Sequence, residues 1–164
     1  VVALLAVCLQ IIAIYLPTST GALRRVLFVS SYLLLLAFAA ANWRRPGIVI
    51  LAIGLVLNFA VIVANGGLMP VTAEPFHRIH EERQIEGVEE GEAIPHSKNI
   101  LLAKEDIRLR FLSDRLVRTW GPPAGRIISI GDIFILAGLV VTLGELFLPR
   151  FQRVPAGQAA REQT

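Results

Sequence analysis

Asp114 and Asp132 are the residues of this sequence best suited to chemistry. Asp132 sits inside the apolar run Arg126–Arg150, R-I-I-S-I-G-D-I-F-I-L-A-G-L-V-V-T-L-G-E-L-F-L-P-R. That run has about membrane-spanning length and is bracketed by arginines. A carboxylate inside it is expensive, so it is kept for function or tied into the fold. The functional reading makes Asp132 a proton carrier or a catalytic acid/base. The structural reading has it hydrogen-bond the Asn65-Gly66-Gly67 turn or an arginine. Asp114 precedes it within Ser113-Asp114-Arg115, with Arg110 and Arg118 on either side. It reads as one half of an ion pair on a solvated helix face. Alternatively it meets Asp132, and the two carboxylates split their pKa values so that one serves as base while the other stays protonated. Asn58, Asn65, Arg115 and Ser129 are the candidate positioning groups for either acid.

His77, His80 and Glu81 stand at helical spacing, with His96 beyond. Histidines and a carboxylate can bind zinc, but the order H-R-I-H-E fits no metalloprotease signature, and the expectation is a solvated cluster with no metal. The apolar runs contain no histidine, which argues against histidine-ligated haem or chlorophyll in them. Cys8 is the single cysteine, so there is neither an intrachain disulfide nor a cysteine-built metal site. A phosphate-cradling glycine loop and a nucleophile elbow are both missing. No cofactor is implied.

The elements that must carry these residues are apolar. Hydrophobic residues make up 54% of the 164, more than a soluble domain of this size needs for its core. The expected fold is all-α: a four-span transmembrane bundle with one interfacial amphipathic helix. Residues 1–71 supply three spans. The first is Val1–Leu16, ended by Pro17 and a turn through Thr18, Ser19, Thr20 and Gly21. It starts already apolar and without a methionine, so the true N-terminus is expected to lie upstream. The second is Val26–Asn42, with a small-residue run at Ala39–Ala41. The third runs from Ile48 to about Asn65. On it Gly54, Asn58, Val61 and Asn65 share one small or polar face, which should point into the bundle.

Residues 72–126 form the one long extramembrane segment. Glu74–Glu92 is acidic and broken by Pro75, Gly87 and Gly91, and reads as a partly irregular loop. In Lys98–Trp120 the residues Leu109, Leu112, Leu116 and Trp120 repeat at helical spacing among arginines, which predicts a basic amphipathic helix lying in the interface. Gly121-Pro122-Pro123 stops it. Residues 127–150 are the fourth span, with Asp132 about six residues into it and Glu145 paired with Arg150 at its far end. Residues 151–164 are a polar tail.

A net charge of +3 with scattered arginines orients a membrane protein rather than binding nucleic acid. Arg44, Arg45, Arg150 and Arg153 fall on one side of the four spans, and the acid-rich loop on the other. That favours cytoplasmic termini and an external loop.

Two stretches, Asn65–Val71 (N-G-G-L-M-P-V) and Ser129–Phe134 (S-I-G-D-I-F), with L-S-D-R between them, resemble the signature of a family of small bacterial membrane proteins known only as a domain of unknown function. The resemblance implies a bacterial inner-membrane protein and no particular activity. More weakly, Ser113-Asp114-Arg115 and Ser129-Ile130-Gly131-Asp132 are similar to the two motifs of the lipoprotein signal peptidases, four-span aspartic proteases. That likeness implies catalytic roles for Asp114 and Asp132. Phe111 and Ser129 stand where that family has asparagines.

Three functions follow from the sequence. The leading one is a non-catalytic accessory or scaffold subunit of a larger membrane complex, with the lipid bilayer and other membrane subunits as partners. The second is an aspartic intramembrane hydrolase using Asp114 and Asp132. The third is a small proton-coupled carrier centred on Asn58 and Asp132.

Overall fold

The chain is mostly helical. In the computed structural model, residues 1–15, 21–118 and 125–147 are described. Helix α1 spans Val2–Tyr15, α2 Gly21–Ala41, α3 Pro46–Ala64 and α5 Ile130–Phe147, with a short α4 at Glu74–Arg78. Helices α2, α3 and α5 are long and apolar enough to cross a membrane; α1, at 14 residues, is a shorter apolar helix. It packs on α2, α2 on α3, and α3 most extensively on α5. The expected turn at Pro17–Thr20, the Gly121-Pro122-Pro123 stop, Trp120, Arg150, Arg153 and the tail lie outside the described residues.

Local chemistry sets the ends of α3. Pro46 occupies its first turn, where a missing N–H costs nothing. Its far end closes at Asn65-Gly66-Gly67, where both glycines take positive φ (80° and 98°) and the Gly67 N–H returns to the Ile62 carbonyl at 2.8 Å. Helices α3 and α5 run antiparallel on a seam of glycines. A Cβ at Gly47 would strike Thr142, one at Gly54 would strike the Gly131 carbonyl, and one at Gly138 would strike Leu51. The two backbones therefore approach closely, as small residues permit in helix pairs. Glu145 accepts a hydrogen bond from the Gly47 N–H at 2.9 Å and so satisfies a free donor at the start of α3.

The segment between α3 and α5 folds into a polar cap. Strand β1 (Met69–Val71) pairs in parallel with β2 (Asn99–Leu101), in register Met69 to Asn99. Residues 91–94 run back along β2, with Ile94 N–H to Asn99 O at 2.9 Å and Leu101 N–H to Glu92 O at 2.9 Å. Strands β3 (Leu116–Arg118) and β4 (Arg126–Ile128) form an antiparallel hairpin that leads directly into α5. Val71, Phe76, Ile94 and Leu101 form a small core of the cap's own.

Two expectations are corrected here. The amphipathic helix across Lys98–Trp120 does not form: its described part holds β2, a 3-10 turn at Arg110–Leu112, and β3. The helical spacing of leucines was coincidental. Leu109 takes a left-handed backbone (φ 54°), which breaks any helix there, and the pairing of Asn99–Leu101 with β1 overrides local preference. The all-α description is likewise amended to a mostly helical chain with, among the described residues, two small two-stranded sheets. The last helix begins at Ile130, because Arg126–Ile128 belong to the hairpin.

Candidate polar site where the cap meets the helices

Asp132 is the third residue of α5, not the sixth. Ser129 caps that helix. Its hydroxyl accepts from the Asp132 N–H at 3.0 Å, and the Asp132 carboxylate accepts from the Ser129 N–H at 3.1 Å. This reciprocal pair is a capping box, which satisfies two donors at the helix start and places the carboxylate over it. The Ser129 hydroxyl then donates to Asn58 Oδ1 at 2.8 Å, while Asn58 Nδ2 donates to Asp132 Oδ1 at 2.7 Å. Asn58 and Ser129 are fully buried. Gly131 makes this possible, since a Cβ there would collide with the Asn58 amide. Tyr32 on α2 lies beside Asn58.

The Oδ2 atom of Asp132, which accepts from the Ser129 N–H, also faces the cap. Lys98 Nζ donates to Asp132 Oδ2 at 2.8 Å and sits 3.3 Å from Asp114 Oδ2. Asp114 is 1% exposed, and Asn99 Nδ2 donates to it at 2.9 Å. Asn99 is held in turn by the Ser97 hydroxyl, which donates to its Oδ1 at 2.6 Å. One lysine thus joins two carboxylates, one on a helix and one on a loop of the cap. Burial by itself would lower the Lys98 pKa. Asp114 and Asp132 outweigh that and hold it above the ordinary lysine value, so the ammonium stays charged. Burial raises Asp114 above the usual carboxylate range, against the pull of Lys98.

The structure brings Asn58, Ser129, Asp132 and Asp114 together. Asp114 does not lie on a helix face between arginines: it follows the 3-10 turn, and its partners are Lys98 and Asn99. Asp132 is held by Lys98, Asn58 and Ser129, not by an arginine or the Asn65-Gly66-Gly67 turn. Asn65 serves elsewhere. Its side chain donates to the Arg108 carbonyl and accepts from the Arg108 N–H, both at 2.9 Å, which fastens the loop before the 3-10 turn to the end of α3. Arg115 is exposed, and its backbone N–H meets the Ile128 carbonyl at 3.4 Å. Sequence reasoning missed Lys98 and Asn99. His77 approaches Glu82 at 3.6 Å on the surface, while His96 stacks on Tyr15. No group of three metal-ligating side chains occurs among the described residues.

Helices long and apolar enough to cross a membrane, joined through a partly buried lysine–carboxylate network to a small polar cap, are compatible with a helical membrane protein. The chain belongs to the family of unknown function DUF5317, whose model matches residues 1–143. No curated protein and no solved structure matches it.

Proposed function

We propose that this chain is a multi-pass protein of the bacterial cytoplasmic membrane, crossing it four times with α1 as the additional crossing, and that it is a non-catalytic accessory subunit of a larger membrane assembly. In this reading the termini are cytoplasmic and the cap is external. The observation that carries the proposal is the place of Lys98. A catalytic pair of aspartates needs the space between them for a shared proton and the attacking water; here an ammonium ion fills it. Asn58 is engaged at both ends of its amide, so it too is occupied in holding the fold. A partly buried ion-pair network closed on the fully buried Asp114 serves to fix one arrangement of elements rather than to add net stability. Outside the seam, α5 exposes Phe134, Leu136, Leu139, Val140 and Leu143, an apolar face for lipid and neighbouring subunits.

The test is extraction from native membranes in mild detergent, with single cysteines at Leu139 and Val140 for cross-linking. An assembly well above the 17.9 kDa of the chain, with cross-links from α5 to a different protein, supports the reading. One copy per micelle with no heterologous cross-link contradicts it.

A further inference from the structure

The cap carries an open pocket of about 300 Å³ between α4, the 3-10 turn and β3. Thr72, Arg78, Arg110, Ser113, Asp114 and Arg115 line it. Its acidic groups are already engaged. Glu74, also on the wall, pairs with Arg78 at 2.5 Å, and the oxygens of Asp114 are taken by Lys98 and Asn99. Arg110 and Arg115 are exposed, and neither guanidinium meets a carboxylate among the described residues. Two guanidiniums without a carboxylate partner among the described residues, in a lining that also includes Thr72, suit a phosphate group, because each planar guanidinium can hold two of its oxygens at once.

The pocket's position narrows the ligand. Asn65, at the end of α3, clamps the backbone of Arg108, so the Arg110 turn lies where α3 leaves the apolar region. Asp114, at the pocket wall, reaches through Lys98 to the first turn of α5. Arg110 is flanked by Leu109 and Phe111, which are 41% and 57% exposed. The left-handed backbone at Leu109 costs energy for a residue of that type, and it presents the two apolar side chains outward. Apolar side chains beside arginines at the level of a bilayer surface insert among acyl chains while the cations meet headgroups.

We propose that this pocket binds a phosphate ester, with the headgroup of an anionic phospholipid as its source. The proposal uses the bilayer placement of the helices and is independent of the accessory-subunit reading.

The full-length protein in detergent would be titrated with dioleoyl phosphatidylglycerol, dioleoyl phosphatidylcholine and glycerol 1-phosphate, with bound species counted by native mass spectrometry. Flotation with liposomes reports bilayer insertion separately. Phosphatidylglycerol is expected to bind at least about tenfold more tightly than phosphatidylcholine. The double variant Arg110→Gln, Arg115→Gln should abolish that preference, while Arg108→Gln, outside the pocket, keeps it. Arginine-dependent binding of glycerol 1-phosphate with no lipid preference supports the phosphate site and assigns it a soluble ligand. Phosphatidylglycerol binding unchanged in the double variant, or no binding of any probe, overturns the proposal.

Discussion

Lys98 and Asp132 meet at 2.8 Å across the boundary between cap and helices. The lysine comes from the residue just before β2, and the aspartate from the first turn of α5. Asp114 takes the same ammonium from the opposite side at 3.3 Å. A charge in the first turn of an apolar helix is thereby paid for by a loop 34 residues earlier in the chain.

Removing that cation should be costly. Lys98→Met leaves the buried Asp114 and the half-buried Asp132 facing each other with no counter-charge. A fully buried pair broken from one side costs about 3–5 kcal/mol, and the partial exposure of Lys98 and Asp132 lowers this to about 2–3 kcal/mol. Denaturant unfolding of the detergent-solubilised protein should show a loss of that order. A loss under about 1 kcal/mol would mean that the carboxylates find other partners.

The acid side of the stability profile should follow Asp114. Its folded pKa is raised by burial, so the folded state keeps a proton that the unfolded state releases near 3.8. That contribution is fully present below pH 3.8 and is lost as pH rises through the raised value. Wild-type stability measured against Asp114→Asn should therefore fall with increasing pH across this window. Lys98, also raised, adds no slope there, because its contribution begins to fade only above 10.5. A difference that is flat or rises with pH would contradict the raised value.

The glycine seam makes a positional prediction. Gly131→Ala drives a methyl group into the Asn58 amide, and Gly54→Ala drives one into the α5 backbone. Each should cost about 1–3 kcal/mol by overpacking, with Gly131→Ala also displacing the Asp132 partner. Gly144→Ala lies on the same helix with nothing within 4 Å of a new Cβ. It should be neutral or slightly stabilising by helix propensity. Thermal unfolding of the three variants separates these cases.

The helices were legible because their apolar runs are long and their stops are written in Pro46, Asn65, Gly66 and Gly67. The meeting of Asn58 with the start of α5 was partly legible too. The small polar face of α3 was visible as a pattern, and Ser129-x-x-Asp132 carries the spacing of a capping box. The cap was not. Strands β1 and β2 pair across some 30 residues of chain, and strands of three residues leave no periodicity to read. Leu109, Leu112 and Leu116 imitated a helix, and only the left-handed Leu109 shows otherwise. Lys98 left one faint sign: it is one of two lysines in a chain whose other permanently charged cations are all arginine. A compact ammonium suits a point between two carboxylates better than a planar guanidinium does. Nothing local announces that Lys98, and not an arginine, answers Asp132.

The most direct measurement is a double-mutant cycle between Lys98→Met and Asp132→Asn in the intact protein, read by equilibrium unfolding. Residues in contact within one network couple by about 0.5–3 kcal/mol. A clamp joining cap to helices predicts a coupling of at least about 1 kcal/mol, with the double variant clearly more stable than the two single losses would sum to. Additive losses, with coupling indistinguishable from zero, would contradict it.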